Sequence, residues 1–195
     1  MHYREKECVG LSFQMRNNGL RGAKNPLGRR VMSIATPTMM DPAAAAGAAP
    51  APAIVPPAGA KVYHAFGDTA SFQLTGEETG GAYTMFVNVT APGGGPPPHW
   101  HDNEDEWFYV VEGRAEFFQD GVWTEVPAGT AVFMPRGTVH AFRNAGDTPL
   151  KQIIHTAPSG FERFFERIAE EFNREGGPEM ERVVGISGEF GIYYA

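Results

Sequence analysis

Two histidines separated by a single residue, His99 and His101, are the strongest chemical signal in the sequence. Alternate side chains of a β-strand share a face, so both imidazoles would lie together while Trp100 points away. Glu106 opens the next β-type run and His140 opens a later one. A closed barrel could bring these four side chains to one interior point. Three neutral imidazoles and one carboxylate suit one divalent transition metal and leave coordination positions for water or substrate.

The sequence around these residues is typical of short β-strands. From Val62 onwards, β-type runs alternate with turn residues at the spacing of a sandwich or barrel. The Asp120-Gly121 pair predicts a tight antiparallel hairpin, because these residues accept the positive φ of a type I′ turn. The sequence predicts an all-β fold with strands near 62–66, 70–75, 82–90, 106–111, 114–119, 121–126, 130–134, 139–144 and 150–156.

After Pro158 the hydrophobic period changes from two to that of a helix. Ser159 and Glu162 have the spacing of a capping box, and Gly176-Gly177-Pro178 supplies a stop. We therefore expect one C-terminal amphipathic helix that packs on the barrel. Its apolar stripe comprises Phe161, Phe164, Phe165, Ile168, Ala169 and Phe172.

Residues 1–60 have a different character, with an Ala/Pro-rich run from Asp41 to Ala60 and no hydrophobic period. We expect a disordered extension over 1–60, a barrel over 61–158, and a helix with a tail over 159–195. Internal methionines, among them Met32, leave open where translation starts. Arg29 and Arg30 resemble the start of an export signal, but prolines and an aspartate interrupt the apolar part that follows.

Charge and composition exclude several classes of function. The net charge is −7, and the seven Lys or Arg of residues 1–60 are scattered, so we expect no nucleic-acid partner. Cys8 is the only cysteine, which excludes an intrachain disulfide and a thiolate metal cluster. No apolar run is long enough to span a bilayer. The expected location is the cytoplasm.

Two longer patterns contain the four candidate ligands. The first has Gly93, five residues, His99-Trp100-His101, four residues, Glu106, six residues and Gly113. The second has Gly129, five residues, Pro135-Arg136-Gly137, two residues, His140, three residues and Asn144. In these motifs, and in the fifteen residues between them, the chain resembles single-domain cupins over about residues 60–175. This resemblance implies a double-stranded β-helix, or jelly-roll barrel, with one Fe, Mn, Ni, Co, Cu or Zn ion on His99, His101, Glu106 and His140.

The segment from His99 to Val111 and the Phe-rich helix look like those of bacterial quercetin 2,3-dioxygenase-like cupins. That resemblance implies an oxidoreductase that cleaves a flavonol or similar enolisable aromatic with O₂, with Glu106 as both ligand and catalytic base. A metal-dependent isomerase or decarboxylase of a small oxygenated acid or sugar stays open, as does a small-molecule-binding cupin without catalysis. A small barrel must protect its sheet edges, and related cupins commonly do so by pairing sheets between subunits, so we expect a homodimer.

Other conspicuous residues have structural interpretations. Asp102, Asn103, Glu104 and Asp105 form a charged loop that we expect to be solvated. His155 is expected to be a structural histidine and Asn144 a turn residue. Three aromatic residues are candidates for the barrel interior: Phe108, Phe133 and Phe142.

Overall fold

The computed structural model describes residues 49–195. The predicted extension over 1–60 therefore lies largely outside the described residues, as do Cys8, the arginine pair and the internal methionines. The described residues contain eleven strands: β1 Lys61–Ala65, β2 Asp68–Leu74, β3 Thr84–Thr90, β4 His99–His101, β5 Asp105–Glu112, β6 Arg114–Gln119, β7 Val122–Pro127, β8 Ala131–Met134, β9 His140–Asn144, β10 Leu150–Ala157 and β11 Ile192–Tyr194.

The strands form two antiparallel sheets. One has six strands in the order β1-β2-β3-β10-β5-β8, and the other has five in the order β11-β4-β9-β6-β7. This mostly β architecture confirms the predicted fold class. The Asp120-Gly121 hairpin is also confirmed, because β6 and β7 are antiparallel and both turn residues have positive φ.

Side-chain alternation decides what faces the barrel interior. Every second residue of β3 and β10 is buried, as expected for strands with one face towards a core. The interior contains Phe72, Phe86 and Phe108, all at most 2% exposed. Phe142 is also buried, but Phe133 is 51% exposed. Its prediction as an interior residue was wrong, because it pairs with Trp107 of β5 on the outer face of the sheet.

Three α-helices lie in the described residues: α1 Gly76–Thr79, α2 Phe161–Phe172 and α3 Met180–Glu189. A short 3-10 helix, Pro57–Gly59, precedes β1. The predicted apolar stripe of α2 is confirmed, with Phe161, Phe164 and Phe165 buried. The predicted capping box at its start was wrong. The N-cap is Gly160, and no side chain caps the helix.

The Glu162 carboxylate, expected in that capping box, instead joins α2 to other elements. The Glu162 carboxylate accepts hydrogen bonds from the backbone N–H groups of Gly76 and Gly160 and from the Thr84 hydroxyl. It therefore ties α2 to β3 and to the start of α1. A capping box does occur elsewhere, at Thr75 and Glu78 at the start of α1.

The C-terminal segment does more than the single helix predicted for it. After α2 and α3, the last strand β11 pairs antiparallel with β4, which carries two of the histidines. β1 and β8 are the edge strands of the larger sheet. Pairing of such edges in a homodimer stays a prediction. None of the helices in the described part of the chain has the length and hydropathy needed for a membrane span.

Candidate metal centre

The four side chains singled out by their spacing meet at one point inside the barrel. His99 and His101 lie on β4, His140 on the neighbouring β9, and Glu106 on β5 of the opposite sheet. One potential ligand atom from each lies within 4.8 Å of the others. All four residues are buried, with exposures from 1% to 7%. The centre therefore joins the two sheets across the interior.

Backbone carbonyls fix the orientation of two imidazoles. Nδ1 of His99 lies 2.8 Å from the carbonyl oxygen of Pro97, and Nδ1 of His140 lies 2.8 Å from that of Thr138. A carbonyl only accepts, so Nδ1 carries the proton in both rings and Nε2 keeps its lone pair. Nε2 of His140 is 3.1 Å from the Glu106 carboxylate, and Nε2 of His101 is 3.9 Å from the same oxygen.

The corner before β9 delivers His140 to the centre. The Gly137 N–H donates to the His101 carbonyl at 2.7 Å, which ties this corner to β4. Gly137 has φ +76°, a conformation that favours glycine. The Arg136 guanidinium forms two hydrogen bonds of 3.0 Å with Asp105, the first residue of β5. The second motif is thus fastened to both strands that carry the other ligands.

Burial and charge act differently on two of the histidines. Burial is the main cause that lowers the pKa of His99 well below its ordinary value, and the adjacent His140 and His101 lower it further. Burial also disfavours the charged form of His140, but the hydrogen bond and negative charge of Glu106 outweigh it and raise the pKa of His140. A neutral imidazole is the form that binds a metal.

The donor set fits one divalent transition metal. Both ring nitrogens of His101 are buried without a hydrogen-bond partner, which is rare for a polar group in an interior. Metal coordination would give Nε2 of this ring a partner. Three imidazoles and a carboxylate suit Mn, Fe, Co, Ni, Cu or Zn, and the set does not select one of them.

Glu104 is the residue that sequence reasoning missed. It was expected to be solvated with its loop, but it is 8% exposed and one carboxylate oxygen lies 3.4 Å from Nδ1 of His101. A carboxylate at this position orients a ligating imidazole and increases its basicity. Asp105 was also expected to be solvated, whereas its carboxylate is bound by Arg136, which lowers its pKa to about 2. The sequence signal for Glu104 was its position three residues after His101.

A cavity of about 490 Å³, including its opening to solvent, adjoins the candidate metal centre. Its walls are mainly aromatic and aliphatic, and helix α2 closes one side. Asp68 and Asn88 add polar groups at a distance from the centre. The lining comprises Phe66, Asp68, Phe86, Asn88, Pro96, His99, His101, Glu106, Phe142, Ile154, Phe161, Phe164, Phe165, Ile192 and Tyr194.

Two further expectations concern residues outside this cavity. His155 does not line it, because it occupies a half-buried position of β10 and its ring lies near Tyr83. Asn144 closes a turn as predicted. Its amide donates to the carbonyls of Thr90 and Thr148 and accepts from the Gly146 N–H.

Comparison with known proteins supports the class that this fold and site define. The family profile described as "Cupin domain" matches residues 86–155, which contain all four candidate ligands. A predicted oxalate decarboxylase from Thermotoga maritima superposes with a TM-score of 0.50 at 20% identity, over 54% of this chain and 99% of that one. At such identity the likeness shows the fold alone. Residues 86–155 are thus similar to a cupin domain, and the two antiparallel sheets agree with that likeness.

Several sequence relatives come from Streptomyces. "Polyketide synthase CurC" from Streptomyces cyaneus is 34% identical over 74 residues, which are 38% of this chain and 48% of the relative. "Protein SchB" from Streptomyces halstedii is 32% identical over 82 residues, 41% and 59% of the two chains. The matches thus span about half the length of these curated relatives. The polyketide cyclase RemF from Streptomyces resistomycificus superposes with a TM-score of 0.50 at 21% identity, over 56% and 81% of the two chains.

The contact between Glu104 and His101 predicts a loss of metal affinity in Glu104→Gln. The variant keeps the size of the side chain but removes the charge that orients His101, so the dissociation constant for a divalent metal should rise about 10- to 100-fold. Isothermal titration of chelator-treated protein with Zn²⁺ or Ni²⁺ measures it. Asp102→Asn, in the same loop, is the control and should bind as wild type does. Equal affinities in all three proteins would contradict the role of Glu104.

The buried carboxyl of Asp68 should make the free energy of unfolding depend on pH. Burial is the main cause that raises the pKa of its carboxyl from 3.8 to about 6, against the hydrogen bonds from Thr90 and Asn88. The folded protein therefore holds this proton more tightly than the unfolded chain. The resulting stabilisation is full below about pH 4 and is lost as pH rises through about 6.

The free energy of unfolding of Asp68→Asn should therefore exceed that of wild type at pH 8 by about 1–3 kcal/mol. The gap should narrow as pH falls below 6. Urea unfolding of both proteins, treated with chelator so that metal binding does not contribute, measures this difference. A gap that is the same at pH 5 and pH 8 would contradict a buried, ionising Asp68.

Proposed function

We propose that this protein is a metal-dependent enzyme that deprotonates an enolisable aromatic substrate, with Glu106 as the base. The observation that carries the proposal is the pairing of a His₃Glu centre with a cavity whose walls are mostly aromatic. A bound metal would act as a Lewis acid that polarises a substrate oxygen. His99, His101, His140 and Glu106 would hold it.

Glu106 is placed to accept a proton. Its side chain is buried and lines the cavity. One of its oxygens lies 3.1 Å from Nε2 of His140 and 3.9 Å from Nε2 of His101. A substrate with an enolic hydroxyl, or an acidic C–H beside a carbonyl, would transfer that proton to a Glu106 oxygen. Proton transfer to a fixed carboxylate is a standard contribution of general base catalysis.

The aromatic wall favours a flat, apolar substrate. Phe86, Phe161 and Phe165 lie in mutual contact, with ring centroids 5.3–5.8 Å apart, and Phe161 also lies 5.3 Å from the His101 ring. Rings of this kind pack edge-to-face or offset against aromatic ligands. They also exclude water from the reacting groups, which protects a reactive enolate from side reactions.

Two fates of the deprotonated substrate are open to test. The first is cleavage with O₂ as in quercetin 2,3-dioxygenases, which the motif segment from His99 to Val111 resembles. The second is ring closure or another reaction without O₂. Relatives named as a polyketide synthase and, for the fold, a polyketide cyclase favour this second fate. Both require the same proton abstraction.

Oxygen uptake separates the alternatives. Metal-reconstituted protein should be incubated with a panel of flavonols and aromatic 1,3-diketones in an oxygen electrode, with products identified by mass spectrometry. Uptake of O₂, with two ¹⁸O atoms in the product when ¹⁸O₂ is supplied, supports a dioxygenase. Turnover under argon supports cyclase, isomerase or decarboxylase chemistry. Saturable binding with no product for any metal would contradict an enzyme and support a binding cupin.

Glu106→Gln isolates the role of the base. The amide keeps the size and one ligand oxygen but loses the basicity, so turnover of metal-loaded variant should fall roughly 10²- to 10⁴-fold. Metal content is measured on the same sample. Glu116→Gln is the control, because Glu116 lies on β6 and pairs with Arg143 away from the cavity. Undiminished turnover by metal-loaded Glu106→Gln would refute the base assignment.

A further inference from the structure

A chain of hydrogen bonds lies in the wall of the cavity, away from the metal centre. The Asn88 amide nitrogen donates to the Thr90 hydroxyl at 3.1 Å, and this hydroxyl donates to the Asp68 carboxylate at 2.5 Å. A hydroxyl has one hydrogen, so a threonine that donates to Asp68 must accept from Asn88. This order fixes the Asn88 amide and leaves its oxygen, Oδ1, as a free acceptor.

That acceptor has no partner in the protein. Asn88 is 1% exposed and its Oδ1 is buried without a hydrogen bond, although buried polar atoms are normally satisfied. Asn88 and Asp68 both line the cavity that contains Glu106. Gln152, the cross-strand neighbour of Asn88 on β10, is fully buried and both polar atoms of its amide also lack a partner.

Strand register gives the separation between this polar group and the metal centre. Val110 lies opposite Gln152, which in turn lies opposite Asn88, and Val110 is four residues beyond Glu106 on β5. At about 3.3 Å per residue, the position of Asn88 is therefore roughly 13 Å from that of Glu106 along the strand direction. The level between them is apolar and contains Phe86 and Ile154. The cavity lining is thus polar near the metal centre and near Asn88, and apolar between them.

We infer that Asn88, supported by Asp68, is a specificity-determining subsite that accepts a hydrogen bond from a phenolic hydroxyl at the far end of the aromatic substrate. The inference rests on the proposed function for the metal end. Asn88 Oδ1 and the Asp68 carboxylate are both acceptors, so the subsite requires a donor. A neutral hydroxyl loses less hydration than a cation on entering an aromatic-lined cavity, which favours a phenol over an amine.

Binding of a flavonol series to metal-loaded full-length protein under argon tests this inference without turnover. The probes are 3-hydroxyflavone, its 3,7- and 3,4′-dihydroxy analogues, and the corresponding methyl ethers. One distal hydroxyl should lower Kd about 3- to 10-fold relative to 3-hydroxyflavone, the usual effect of one hydrogen bond. Its methyl ether, which cannot donate, should lose that gain. The ether comparison needs no variant and does not depend on a mutant folding.

Asn88→Leu removes the acceptor with little change in volume and should abolish the preference for the distal hydroxyl, while 3-hydroxyflavone still binds. Gln73→Leu is the matched control on β2, because Gln73 is half-buried and does not line the cavity. It should keep the preference. Equal Kd values for all probes, or a preference that survives Asn88→Leu, would overturn the subsite alone. Failure of every flavonol to bind would overturn the subsite and exclude flavonols as substrates, whereas the proposed deprotonation is tested separately by turnover of the aromatic 1,3-diketones.

Discussion

The burial of three imidazoles and one carboxylate between two sheets is the constraint on which the rest of this structure depends. Polar groups in an interior destabilise a fold unless each finds a partner. Carbonyl groups satisfy the outer nitrogens of His99 and His140, and Glu104 lies beside that of His101. The inner nitrogens converge near Glu106. The protein thus fixes two rings by hydrogen bonds from outside and places a carboxylate beside the third. The inward lone pairs are left for one cation, an arrangement that pre-organises a metal site.

The surrounding elements can be understood as supports for that point. β11 pairs with β4 and holds the His99 and His101 strand, while the Asp105 and Arg136 pair joins β5 to the corner before His140. Glu162 ties α2 to β3, and so places the phenylalanines of α2 over the cavity. Most of these contacts join segments far apart in sequence. Rigid support of this kind is what keeps ligands and base in a productive geometry.

The sequence predicted local features well and long-range ones poorly. Alternation placed His99 and His101 on one face, and the Asp120-Gly121 pair located a hairpin, because both depend on neighbouring residues. The capping box predicted at Ser159 was wrong because Gly160 is the N-cap, and two of the three donors to the Glu162 carboxylate lie more than seventy residues away. Glu104 looked like one charge in a solvated loop, and only the fold shows that it is buried beside His101. Phe133 has strand-like spacing, which does not reveal which face is outward.

The central claim is that His99, His101, Glu106 and His140 together bind one divalent transition metal. X-ray absorption spectroscopy of protein loaded with one equivalent of Co²⁺ or Ni²⁺ tests it most directly. We expect one ion per chain, with a first shell of nitrogen and oxygen at about 2.0–2.2 Å, the range of imidazole and carboxylate ligands. The scattering should fit three imidazoles in wild type and two in His140→Ala. Folded protein that cannot be loaded with any divalent metal, or a wild-type shell without imidazole scattering, would contradict the account.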